Sequence, residues 1–135
     1  MSEININENP TLIETNPEQH EQSLVQAEKV AAILDDKKAL DIKLIRVDKQ
    51  TIIADYFVIA GGTSSTHIRA LADEVEFKLS QEGIEPARVE GLDNTGWILM
   101  DYSSVIVHIF NSESRDYFKL EKLWSEGEEI KLELK

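Results

Sequence analysis

The chain is aromatic or aliphatic throughout from Tyr56 to Ala60, turns through Gly-Gly-Thr-Ser-Ser, and enters a helical apolar repeat at once. No other feature constrains the fold as tightly. An unbroken apolar run bounded by turn residues suits a central strand covered on both faces. Beyond the turn, Ile68, Leu71, Ala72, Val75 and Leu79 predict an amphipathic helix of about four turns. Ser64 or Ser65 suits its N-cap, and Gly83 suits a left-handed exit. A buried strand feeding a one-faced helix calls for α/β layering.

The flanking segments extend this pattern. Residues 1–22 carry five glutamates and no lysine or arginine, and their apolar periodicity is weak, which predicts a disordered acidic tail. Order is expected from Ser23, which has capping-box spacing to Gln26, with Asn16-Pro17 and Gln19 as a competing earlier start. Leu24, Ala27, Val30 or Ala31, and Leu34 then share one helical face. Ile42, Leu44, Ile45 and Val47 mark a first strand, and "ARVEG" after Pro86 a later one. The strand–helix–strand order from Tyr56 to "ARVEG" predicts a right-handed parallel crossover. "GLDNTG" and "DYSS" are turn chemistry, so residues 87–110 read as a three-strand antiparallel meander. A last helix capped by Ser112 or Ser114 places Tyr117, Leu120 and Trp124 on one side. Residues 126–135 form a charged, peripheral end. The expectation is a mixed sheet of about five strands flanked by helices, in one domain over residues 23–125.

Charge and composition narrow the function. Fourteen basic residues against 26 acidic ones give a net charge of −12, so no dedicated nucleic-acid surface is expected. Such a charge either draws in a basic protein partner or simply maintains solubility. Without cysteine there is no disulfide framework, thiolate zinc site or thiol nucleophile. No apolar run approaches the roughly 18 residues of a membrane span, and the start lacks a signal-peptide pattern. A cytoplasmic protein is expected.

Three sets of residues invite a chemical reading. The turn Gly61-Gly62-Thr63-Ser64-Ser65 resembles a phosphate cradle at a helix N-terminus. It matches neither the dinucleotide fingerprint nor the lysine-bearing phosphate loop. A nucleotidyltransferase would also need paired metal-binding carboxylates, and Asp93 and Asp101 stand alone. The plainer reading is a structural corner with a helix cap. His20, His67 and His108 share no metal-ligand spacing, so no metal and no cofactor are expected. Ser64 or Ser65 with His67 and Asp73 fails as a hydrolase triad for lack of Gly-x-Ser-x-Gly. Trp97, Tyr102 and Trp124 suit either packing under loops or an anchor for a protein partner.

Four blocks, "ADYFVIAGGTSSTHIRALADEVEFKL", "VEG", "GWILMDYSSVIVHIF" and "SRDYFKLEKLW", together resemble the Iojap-like ribosomal silencing factor family. The likeness spans about residues 23–125. It implies a nucleotidyltransferase-like fold without catalytic carboxylates and without enzymatic activity. It also implies a repressor that binds the large ribosomal subunit through its fourteenth-numbered ribosomal protein. Small-subunit joining is then blocked sterically, and translation falls when nutrients are scarce. Family members also form homodimers, which makes a second copy of this chain a candidate partner. The implied interface is Trp97, Asp101, Tyr102 and Ser103 in "GWILMDYSS", with Gly61, Gly62, Thr63 and Ser64 structural. Relatives often carry serine or threonine in place of Gly61 and an aliphatic residue in place of Tyr102. The rival readings are a nucleotidyltransferase using the Gly61–Ser65 turn and an adaptor for another basic protein.

Overall fold

The computed structural model describes residues 17–49, 51–92, 96–112, 127–132 and 134. In chain order the elements are α1 (Pro17–Asp36), β1 (Leu40–Arg46), β2 (Tyr56–Gly62), α2 (Ser65–Ser80), β3 (Arg88–Glu90), β4 (Trp97–Asp101), β5 (Val105–Asn111) and β6 (Glu128–Ile130). The strands form one six-stranded mixed sheet in the order β3-β4-β5-β2-β1-β6.

At the centre, β2 and β5 pair in parallel, from Tyr56 opposite Val105 to Gly62 opposite Asn111. Both are buried along almost their whole length, as unbroken apolar runs require. Helices α1 and α2 cover one face of the sheet. Ala27, Val30, Ala31 and Leu34 of α1 and Ile68, Leu71, Val75 and Leu79 of α2 pack there. The strands meet them with Leu44, Val58, Ala60, Ile98, Met100, Val107 and Ile109. The alternate strand residues Ile45, Phe57, Ile59, Ile106 and Phe110 form a second apolar layer on the opposite face. Trp97 and Leu99 pack against that layer, and no residue of α1 or α2 belongs to it.

The meander over residues 87–110 is present as antiparallel β3-β4-β5. The crossover has the expected parallel sense, but it does not join neighbouring strands. From β2 the chain passes through α2 to β3, which runs parallel to β2 but lies at the far edge of the sheet. Strand β5 takes the adjoining position. Short β3, with Arg88 and Glu90 exposed, suits an edge, whereas the apolar run of β5 needs burial on both faces. Two further differences concern the ends. Helix α1 begins at Pro17, the earlier of the two starts, so His20 lies on its first turn rather than in a tail. The sixth strand, β6, arises within residues 126–135 and pairs antiparallel with β1, where Lys43 Nζ lies 3.5 Å from Glu129 Oε2. The last helix with Tyr117, Leu120 and Trp124, the residue Asp93 and the first sixteen residues lie outside the described residues.

Candidate functional site

The glycine-rich segment is a structural corner. Gly61 and Gly62 are the last residues of β2, paired with Phe110 and Asn111, and neither has a positive φ. Glycine is needed at 62 for space rather than for backbone freedom: a Cβ there would lie 2.6 Å from Ile68 Cγ2. Ser64 caps α2 by accepting a 3.1 Å hydrogen bond from the His67 N–H. The Thr63 N–H donates 2.9 Å to His67 Nδ1, and His67 Nε2 lies 3.1 Å from the Lys37 carbonyl. An Nε2-protonated neutral imidazole satisfies both contacts. His67 thereby ties the β2–α2 corner to the α1–β1 connection. Two of the N–H groups that a phosphate would use, those of Thr63 and His67, are already engaged within the protein.

The four residues of the expected interface do not form one patch. Trp97, Leu99 and Asp101 alternate along β4 and share the face away from the helices, each half-buried. The Trp97 ring stacks on Phe110, with centroids 5.4 Å apart and planes at 16°. Its Nε1–H donates 3.3 Å to Nδ1 of His108, which also lies 4.7 Å from the Phe57 ring centroid. His108 is buried, and burial lowers its pKa from 6.5 to about 4, so the imidazole is neutral at physiological pH. Its Nε2 has no hydrogen-bond partner among the described residues.

Asp101 ends β4, where Oδ1 accepts from the Ser103 N–H at 2.8 Å and Oδ2 lies 3.7 Å from Arg88 Nε. Ser103 is exposed at the hairpin tip with φ 73. The Tyr102 side chain belongs to the helix-side core, and the residue is only 6% exposed. Its hydroxyl has no partner among the described residues, and burial, then Glu76 and Glu85, raises its pKa to about 12. Tyr102 therefore supports the hairpin from behind, while Trp97, Leu99 and Asp101 present a surface row. The Trp97–His108 contact crosses eleven residues of sequence. The alternation of Ile106, His108 and Phe110 signals which face His108 takes, but not which side chain meets it.

Comparison with known proteins shows the family. The family described as "Ribosomal silencing factor during starvation" matches residues 18–135. The chain belongs to the ribosomal silencing factor family. Among curated relatives, the ribosomal silencing factor of Bacillus subtilis is 38% identical over 97 residues, covering 72% of this chain and 82% of the relative. The protein named Iojap-related, mitochondrial, of Arabidopsis thaliana is 35% identical, covering 71% of this chain and 54% of that one. A crystal structure from Chromobacterium violaceum superposes with a TM-score of 0.70 at 30% identity, over 78% of this chain and 85% of that chain. As a ribosomal silencing factor the chain is a non-catalytic regulator that lowers translation. No described helix is long and apolar enough to cross a membrane.

Proposed function

We propose that this silencing factor binds the large ribosomal subunit through its fourteenth-numbered ribosomal protein and blocks joining of the small subunit. The observation that carries this reading is the half-buried row Trp97–Leu99–Asp101, on a sheet face that neither α1 nor α2 covers, in a chain of net charge −12. A wide aromatic ring beside an aliphatic side chain and a carboxylate suits a protein surface with apolar contacts and a basic rim. Long-range attraction between the acidic factor and a basic ribosomal protein speeds encounter, while repulsion from rRNA phosphates disfavours misplacement. Occupancy alone then inhibits, and no chemical step is needed. The nucleotidyltransferase-like ancestry belongs to the same reading, supported by a strand–corner–helix unit whose corner now serves structure.

A cytoplasmic location belongs to this reading, supported by the likeness to the Bacillus subtilis factor, while the Arabidopsis relative carries a mitochondrial name. The experiment is a subunit-joining assay in which purified small and large subunits are titrated with the protein. Loss of joined ribosomes near one factor per large subunit is expected. Undiminished joining at saturating occupancy refutes steric blocking and favours the adaptor reading. Large subunits lacking the fourteenth-numbered protein test the docking partner, because they should no longer retain the factor. Sedimentation of the factor alone reads out homodimer formation.

A further inference from the structure

We propose that His20, Asp48 and Asp55 form a divalent-cation site that takes a borderline ion such as Zn2+. The three residues come from separate segments: the first turn of α1, the end of β1's exit, and the approach to β2. His20 Nε2 lies 3.6 Å from Asp48 Oδ2 and 3.8 Å from Asp55 Oδ1, and all three donor atoms fall within 4.8 Å of one another. These separations exceed a direct N–H···O hydrogen bond, which spans about 2.7–3.2 Å. They lie close to the roughly 3.4 Å edge between donors on a tetrahedral zinc with bonds of about 2.0–2.1 Å. One donor atom from each residue thus lies within 4.8 Å of the other two, near enough for one ion to reach all three.

Each carboxylate is also held from outside the cluster. Arg46 Nε and Nη2 donate to Asp48 Oδ1 and Oδ2 at 2.9 and 3.2 Å. The Ser23 hydroxyl donates 2.9 Å to Asp55 Oδ2, which leaves Oδ1 directed at His20. Groups that orient ligands in this way are characteristic of metal sites. The Asp48 side chain is only 8% exposed and those of His20 and Asp55 18%, so solvent screens the two carboxylates poorly. Arg46 offsets one of their charges. A cation between them would offset the other.

One imidazole and two carboxylates with no thiolate suit Zn2+, with water in the fourth position, better than Ca2+, which takes about six to eight oxygens. Bound there, the ion staples the start of α1 to the β1–β2 connection. That connection carries Ile52 and Ile53, exposed by 85% and 63%, so the ion also steadies an apolar projection.

The test uses the full chain, freed of metal by chelation and titrated with zinc chloride in a calorimeter near neutral pH. One saturable equivalent is expected in the wild type. His20→Ala and Asp55→Asn should each weaken it by about tenfold or more, since loss of a ligand exceeds loss of an orienting group. His20→Ala falls on the first helical turn and leaves the core intact, while Asp55→Asn retains an acceptor for Ser23. Zinc should raise the melting temperature of the wild type and not that of His20→Ala. Equal affinity in wild type and His20→Ala, a normal site in Asp55→Asn, or no saturable equivalent overturns the assignment.

Discussion

Gly62→Ala tests whether the corner after β2 exists for packing. The added Cβ would lie 2.6 Å from Ile68 Cγ2 and 3.3 Å from His67 Nδ1. Carbon atoms in ordinary contact sit about 3.5–4.0 Å apart, so the methyl must retreat by roughly 1 Å. Ile68 has little freedom to retreat, being 2% exposed and held by a β-branched rotamer in the first turn of α2. His67 is equally constrained by its contacts to Thr63 and Lys37. Overpacking of this kind costs about 1–3 kcal/mol. At roughly 4 °C per kcal/mol for a domain of this size, the melting temperature should fall by about 4–12 °C.

Urea and thermal unfolding give the magnitude, and a double-mutant cycle identifies the cause. Ile68→Ala removes the opposing methyl and costs about 2–5 kcal/mol alone. In the Gly62→Ala background it should cost less, with a coupling of at least ~0.5 kcal/mol. An unchanged melting temperature in Gly62→Ala, or strictly additive effects, refutes the packing account. A phosphate cradle predicts a different pattern: unchanged stability together with lost binding of a nucleoside triphosphate.

Trp97→Ala should weaken co-sedimentation with large subunits by about 2 kcal/mol and also lower stability, because the Phe110 stack opens and His108 Nδ1 loses its donor. Trp97→Phe retains most of the stack, and a folded Trp97→Ala protein that co-sediments like wild type would sink the site. For His108, burial holds the folded pKa at about 4, below the unfolded 6.5. The unfolded chain therefore binds the extra proton between these values, so this contribution is complete above about pH 6.5 and disappears as pH falls towards 4. It amounts to roughly 3 kcal/mol, and the stability gap between wild type and His108→Leu should change by that amount over this range. A pH-independent gap would show that His108 is not buried in its neutral form. Tyr102→Phe removes a buried hydroxyl that has no partner among the described residues, so stability should hold or rise by up to ~1 kcal/mol with ribosome binding unchanged. Weaker binding in a stable Tyr102→Phe protein would return that hydroxyl to the interface.

The central strands, the helix after the glycines and the antiparallel meander were legible in the sequence because each rests on local periodicity or turn chemistry. Continuous apolarity from Tyr56 to Ala60 specifies burial on both faces whatever the neighbour. The spacing from Ile68 to Leu79 specifies one helix face, and Ser64 and Gly83 mark the ends by capping and backbone preference. Four ordered blocks also identify the family.

Other properties depend on which distant segments meet. The apolar run of β2 demands a neighbour without naming it. Only the competition between short, charged β3 and long, apolar β5 for the central place decides the crossover. The alternation in "WILMD" separates two faces, but cross-strand register puts Trp97 against Phe110 and brings His108 within reach of its Nε1–H. The sequence likewise supplies His20, Asp48 and Asp55 far apart. Folding draws them together because α1 packs across β1 and β2, placing the start of the helix over the loop that joins those strands. Local preferences act within a few residues and therefore show in sequence, whereas a site assembled across the sheet is decided by packing.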